Sequence, residues 1–171
     1  EIAAALGAKM ACPDQEVYSM CGDGSFDMLH SELITSIQTG HKINVMLFDN
    51  ASFGCINNLE VGQGNACICT EKNMLEEGVT NGIHKGKVIQ VDYAAIGAAY
   101  TVKTQEELEA AIEDAKKQTV STLIDMKVLP KTMSAGYENW WRVGVAEVST
   151  KPEVQAARKA IEDHLYEARH Y

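Results

Sequence analysis

Proline is scarce in this chain, at 3 of 171 residues, and glycine, at 13, is about as frequent as in an ordinary globular protein. That excludes a collagen-like repeat and argues against a proline-rich disordered segment. Basic residues are outnumbered, 15 Lys and Arg against 24 Asp and Glu, for a formal charge of -9. A chain of that sign has no overall attraction to nucleic acid phosphates or anionic lipid, so neither is expected as a partner. No apolar run approaches the ~20 residues of a membrane span, and nothing resembles a signal peptide. The histidines (His30, His41, His84, His164 and His170) form no metal-binding spacing. Cys67-Ile68-Cys69 is too tight for the usual zinc arrangement and reads as an ordinary loop. Cys12, Cys21 and Cys55 complete an odd set of five with no secreted-scaffold spacing, which fits a reducing cytoplasm.

What is present is an apolar content of 46%, sufficient for one domain with a sizeable core. The chain opens on EIAAALGAKMA, already helical in composition with no capping residue ahead of it. It is therefore expected to be part of a longer protein. Pro13 and Asp14 break that helix, and residues 16 to 21 form a short buried strand bounded by GDGS. From Ser25, apolar residues recur at helical spacing through Phe26, Leu29, Leu33, Ile34 and Ile37, which predicts one helix ending at Gly40. Residues 43 to 49 are a near-continuous apolar run, the signature of a strand covered on both faces. Strand, glycine turn, helix and strand make a βαβ unit with parallel strands. The fold class is α/β, a mostly parallel sheet between helical layers.

Residues 54 to 90 show no sustained period and read as a long loop. Helical spacing resumes over residues 92 to 100 and 104 to 118. The second of these opens with a capping box of Thr104 and Glu107. Residues 120 to 128 are a third strand, 131 to 148 are irregular, and a last helix runs from Pro152 to about Arg169. There are no repeats, and no domain boundary is expected inside residues 1 to 171.

The chemistry concentrates at Gly22-Asp23-Gly24-Ser25, where strand meets helix and backbone N–H groups point beyond the strand's carboxyl end. Such a turn holds phosphates. A carboxylate at Asp23 would repel a phosphate unless a cation lay between them, so the motif points to a magnesium-bridged diphosphate. Asn50 ends the neighbouring strand and brings a neutral amide oxygen to the same sheet edge. Gly-Asp-Gly alone also describes an ordinary turn, and the spaced asparagine is what gives it weight.

GDG, then 25 residues spanning a helix and a strand, then Asn, with Gly54 shortly after, resembles the thiamine-diphosphate enzymes. The segments EIAAALG, GDGSF, KINVMLFDN, LIDMKVLPKTM and GYENWWRVGVAEVS extend that resemblance to the trihydroxycyclohexane-dione hydrolases of myo-inositol catabolism. The resemblance implies a three-layer diphosphate-binding domain, the C-terminal one of three, with thiamine diphosphate and Mg²⁺ as cofactors. It assigns the metal to Asp23, Asn50 and the Ser52 carbonyl, and the cofactor to Gly22, Gly24, Ser25, Phe53, Gly54, Cys55 and Ile56 as well. For Cys55, simple packing is as good an account as a substrate contact. The residue that activates the cofactor, a glutamate, is implied to lie in another domain, so no catalytic acid or base is expected here and the isolated chain should be inactive. The implied partners are a polyol-derived dione, the remaining domains, and further copies of the chain in a homodimer or tetramer. Tandem Trp140 and Trp141 are expected in core or interface packing. Two alternatives stay open: an acetolactate-synthase-like carboligase or 2-oxo acid decarboxylase sharing the metal residues, and a non-catalytic α/β assembly domain in which GDGS is only a turn.

Overall fold

A computed structural model describes residues 1–74, 86–96, 99–130 and 145–165. The expectations for Trp140 and Trp141, for most of the irregular 131–148 stretch, for the end of the last helix and for part of the 54–90 loop lie outside those residues. The chain forms two compact units, one of Glu1–Phe53 with Val88–Thr132 and one of Gly54–Lys87 with Met133–Tyr171, where a single body was expected.

The first unit is built on a parallel sheet of β1 (Tyr18–Gly22), β2 (Asn44–Asp49), β3 (Ala99–Val102) and β4 (Thr122–Lys127), in the order β1-β2-β4-β3. Its strands are apolar because helices cover them. On one face Ile2 and Ala5 of α1 (Ile2–Ala11) and Leu33 of α3 (Glu32–Thr39) pack with Cys21, Val45, Leu47 and Leu123. On the other, Ala111 and Ala115 of α5 (Gln105–Ala115) pack with Val102, Ile124 and Met126. Helices on both sides of a parallel sheet make the three-layer α/β arrangement. Thr104 caps α5 by accepting from the Glu107 amide at 3.2 Å, while Glu107 reaches back to the Lys103 amide at 2.7 Å.

Three local expectations are corrected. The helix expected from Ser25 to Gly40 is two, α2 (Asp23–Met28) and α3. His30 folds back so that its ring stacks on Phe26 at 5.0 Å, and its Nδ1–H donates to the Phe26 carbonyl at 3.1 Å, taking an acceptor the helix would need to continue. Gly40, at φ +69°, then ends α3, the left-handed conformation that glycine adopts without a Cβ penalty. Residues 92 to 100 are not helical throughout: a 3₁₀ turn at Tyr93–Ile96 is followed by β3, which makes β4 the fourth strand. A four-residue strand is too short to reveal its period. The supposed loop after residue 53 begins with a helix, α4 (Gly54–Gly62), in which only Asn57 is fully buried. With so little apolar surface to bury, α4 has no periodic signature.

The second unit contains α4 and α6 (Pro152–Leu165). A Cβ at Gly64, where φ is +74°, would meet the Glu153 backbone carbon at 2.5 Å, so only glycine fits between these segments. Among the described residues no helix is long and apolar enough to cross a membrane.

Candidate functional site

In a parallel pair the carboxyl ends of both strands lie at one edge, and β1 and β2 are in register with Gly22 beside Phe48. The chain leaves β1 at Asp23, whose residue is only 1% exposed, and leaves β2 through Asp49 into the turn Asn50-Ala51-Ser52. These exits meet at one main-chain amide. The Ser52 N–H donates to Asp23 Oδ2 at 3.1 Å and to Asn50 Oδ1 at 3.1 Å, and the Ser52 hydroxyl donates to the same Asn50 oxygen at 3.0 Å. A shared donor requires both acceptors on its own side, so a carboxylate and an amide oxygen face one another across the strand ends.

The turn that achieves this is strained. Ala51 is buried with φ +57°, a left-handed conformation that costs an alanine about 1–2 kcal/mol. It is held by Asp49 Oδ1, which accepts from the Ala51 amide at 3.0 Å. The other oxygen of Asp49 pairs with Lys127 Nζ at 2.7 Å, and Lys127 also pairs with Asp125 at 2.8 Å. Burial disfavours the Lys127 ammonium, but hydrogen bonds to Asp125 and Asp49, and their charges, outweigh it and raise its pKa. Burial, opposed by Lys127, raises the pKa of the Asp125 carboxyl.

Gly24 serves a different purpose from Gly22. A Cβ on Gly24 would lie 2.7 Å from Phe53 Cδ1, so the Phe53 ring sits directly on the backbone there. A Cβ on Gly22 would meet nothing within 4 Å, and its φ of -79° is open to any residue. Ser25 follows in α2, half-buried. Cys21 is buried, and that burial first, with the Glu1 charge adding to it, pushes its thiol up to about 11.

Of the residues singled out in the sequence, Gly22, Asp23, Gly24, Ser25, Asn50, Ser52 and Phe53 all belong to the first unit, and the hydrogen bonds join Asp23, Asn50 and Ser52 directly. Gly54, Cys55 and Ile56 instead open α4 in the second unit, with Cys55 and Ile56 exposed. Sequence reasoning missed Ala51, Asp49, Asp125 and Lys127. The acidic residues did leave a signal, as charges set in the apolar runs INVMLFD and LIDMK.

The chemistry of the donor set suits a small hard cation, since carboxylate, amide and main-chain oxygens are what Mg²⁺ takes. A carboxylate as buried as Asp23 is also best accommodated beside a cation or strong donors. Among the described residues no three His, Cys, Asp or Glu side chains cluster as a metal site.

The family model for the C-terminal TPP binding domain of thiamine pyrophosphate enzymes matches residues 1–126. The chain belongs to this family. Over its whole length this thiamine pyrophosphate (thiamine diphosphate) binding domain is 55% identical, across 176 residues, to a Bacillus cereus (strain ZK / E33L) protein named 3D-(3,5/4)-trihydroxycyclohexane-1,2-dione hydrolase 2. It is also 55% identical, across 178 residues, to a Geobacillus thermodenitrificans (strain NG80-2) protein named 3D-(3,5/4)-trihydroxycyclohexane-1,2-dione hydrolase. It spans 27% of the length of each of these curated relatives. Among solved structures, the thiamine diphosphate-dependent 4-hydroxybenzoylformate decarboxylase of Rhodococcus jostii RHA1 superposes with a TM-score of 0.58 at 22% identity, covering 74% of this chain and 22% of that one. The benzoylformate decarboxylase of Polynucleobacter necessarius gives 0.57 at 20% identity, covering 78% of this chain and 23% of that one. At such identities the likeness is one of fold.

Proposed function

We propose that this domain holds the diphosphate end of thiamine diphosphate through Mg²⁺, in an enzyme that hydrolyses a ring C–C bond of trihydroxycyclohexane-1,2-dione to give 5-deoxy-glucuronate. The observation that carries the site is the Ser52 amide shared between Asp23 Oδ2 and Asn50 Oδ1. The choice of substrate rests on the 55% identity to proteins bearing that hydrolase name.

In this reading Asp23 supplies the only anionic protein ligand to the metal, and Asn50 Oδ1 and the Ser52 carbonyl complete the protein's share of its shell. Gly22, Gly24 and Ser25 receive the diphosphate, with the unfilled space beside Gly22 left for its oxygens. Phe53, packed on Gly24, forms an apolar wall next to them. When bound, thiamine diphosphate supplies the carbanion chemistry needed to break a C–C bond beside a carbonyl, while the protein contributes position and electrostatics. Overall, water's hydroxyl goes to the acyl carbon released by ring opening and its proton to the other carbon. No acid or base of this chain is given a part in those transfers. The activating glutamate is assigned to another domain, and the working enzyme to a homo-oligomer. The odd set of five cysteines, without secreted-scaffold spacing, is why a cytoplasmic location is assigned.

The test is turnover by the intact protein with thiamine diphosphate and Mg²⁺, offered the dione and, separately, pyruvate. Ring opening of the dione is the expected result. Turnover of pyruvate alone would replace this reading with a carboligase or decarboxylase.

A further inference from the structure

The charge cluster beneath the Asn50-Ala51-Ser52 turn has no part in the chemistry above, yet it is hydrogen-bonded to that turn through Asp49. Asp49, buried at the end of β2, divides its carboxylate between two tasks. Oδ1 accepts from the Ala51 amide at 3.0 Å, and Oδ2 is gripped by Lys127 Nζ at 2.7 Å. Lys127 is itself fixed from several sides. It pairs with Asp125 at 2.8 Å, donates to the Val91 carbonyl at 2.5 Å, and stands 5.4 Å from the centre of the Tyr93 ring. β2 and β4 pair with Asp49 directly beside Lys127, so the sheet register sets the ion pair.

The other end of the chain of contacts is the proposed metal site. Ala51 lies at φ +57°, against the preference of an L-residue, and it separates Asn50 from Ser52. If Ala51 relaxed to a right-handed or extended conformation, the peptide leading into Ser52 would rotate. Its N–H could then no longer face Asp23 Oδ2 and Asn50 Oδ1 together. A side-chain oxygen bonded to the amide two residues on is the usual device for holding such a turn.

We propose that Asp49 and Lys127 are positioning residues for the divalent cation: the ion pair fixes the Asp49 carboxylate, whose free edge holds Ala51 left-handed and so presets Asn50 and Ser52 opposite Asp23. Neither residue touches the cation. This inference rests on the assignment of Asp23, Asn50 and Ser52 as the metal site. It adds a cause for their alignment that lies in the sheet, not in the metal.

The experiment measures Mn²⁺ affinity of the intact protein with saturating thiamine diphosphate, from the electron paramagnetic resonance of free Mn²⁺, beside urea denaturation without metal. Asp49→Ala loses both bonds and is expected to weaken Mn²⁺ binding at least ten-fold. Asp49→Asn loses the ion pair but keeps one oxygen that can still accept from the Ala51 amide, so it is expected to lose three- to ten-fold, less than Asp49→Ala and comparable to Lys127→Met. Mn²⁺ affinity within two-fold in Asp49→Ala, or equal losses in the two variants, overturns the proposal. Should Asp49→Ala fail to fold, Lys127→Met decides: a three- to ten-fold loss supports the proposal and unchanged affinity overturns it. Absence of Mn²⁺ binding by the unchanged protein would instead overturn the metal site itself, and the positioning role with it.

Discussion

Gly22→Ala and Gly24→Ala separate what the fold requires from what a ligand requires, although the two glycines flank one aspartate. At Gly22, φ is -79° and ψ 159°, and a Cβ would meet nothing within 4 Å. Alanine at such a position restricts the unfolded chain and should leave stability unchanged or raise it by about 0.4–1 kcal/mol. At Gly24 the new methyl would lie 2.7, 3.1 and 3.2 Å from three atoms of the Phe53 ring. Overpacking of this kind costs about 1–3 kcal/mol, offset by up to ~1 kcal/mol from replacing glycine inside a helix. Gly24→Ala should therefore come out about 0–3 kcal/mol less stable than the unchanged protein, and Gly22→Ala no less stable, by urea denaturation without cofactor. Calorimetric titration with thiamine diphosphate and Mg²⁺ should reverse the impression. Gly22→Ala, though well folded, fills the space assigned to the diphosphate and should lose at least ten-fold in affinity, which is about 1.4 kcal/mol. Full affinity in Gly22→Ala would refute the placement of the diphosphate, and a large loss of stability there would refute the reading of the turn.

Thr104→Ala removes the acceptor that caps α5 and should cost about 1 kcal/mol in urea denaturation, whereas Thr104→Ser should restore most of it. Tyr100→Phe tests the acid side of stability: the Tyr100 hydroxyl donates to Asp114 at 2.7 Å and, ahead of Gln118, holds that carboxyl below its ordinary 3.8. A depressed carboxyl contributes stability that is present above its ordinary value and is lost as pH falls through the lower folded one. The variant should begin acid unfolding at higher pH when followed by circular dichroism, and an unmoved acid limb would count against the contact.

The parallel βαβ frame was legible because its signals are local: two apolar runs, a glycine turn and an amphipathic stretch between them. Its consequence, that residues 27 apart share one edge, follows from parallel pairing alone, which is why Asp23 and Asn50 could be considered together from the sequence. The break after Met28 was not legible, since it depends on the His30 ring stacking on Phe26 and taking its carbonyl. Helix α4 escaped notice because GCINNLEVG buries only Asn57 completely and so shows no apolar period. Alanine at position 51 carries no hint of a left-handed backbone. That conformation is imposed by Asp49, and the grip of Lys127 on Asp49 arises only when β2 and β4, distant in sequence, pair in register. Charged residues inside apolar strands were the available clue, and they mark places where the sheet carries an ion pair in addition to packing.

The central claim is that Asp23 anchors a cation which in turn anchors a diphosphate. It is tested most directly by calorimetric titration of thiamine diphosphate into the intact protein, with and without Mg²⁺, for the unchanged chain and for Asp23→Ala. The account predicts tight binding only for the unchanged protein and only with Mg²⁺ present, with Asp23→Ala retaining its circular dichroism spectrum. Binding that ignores Mg²⁺, or that survives undiminished in Asp23→Ala, would contradict it.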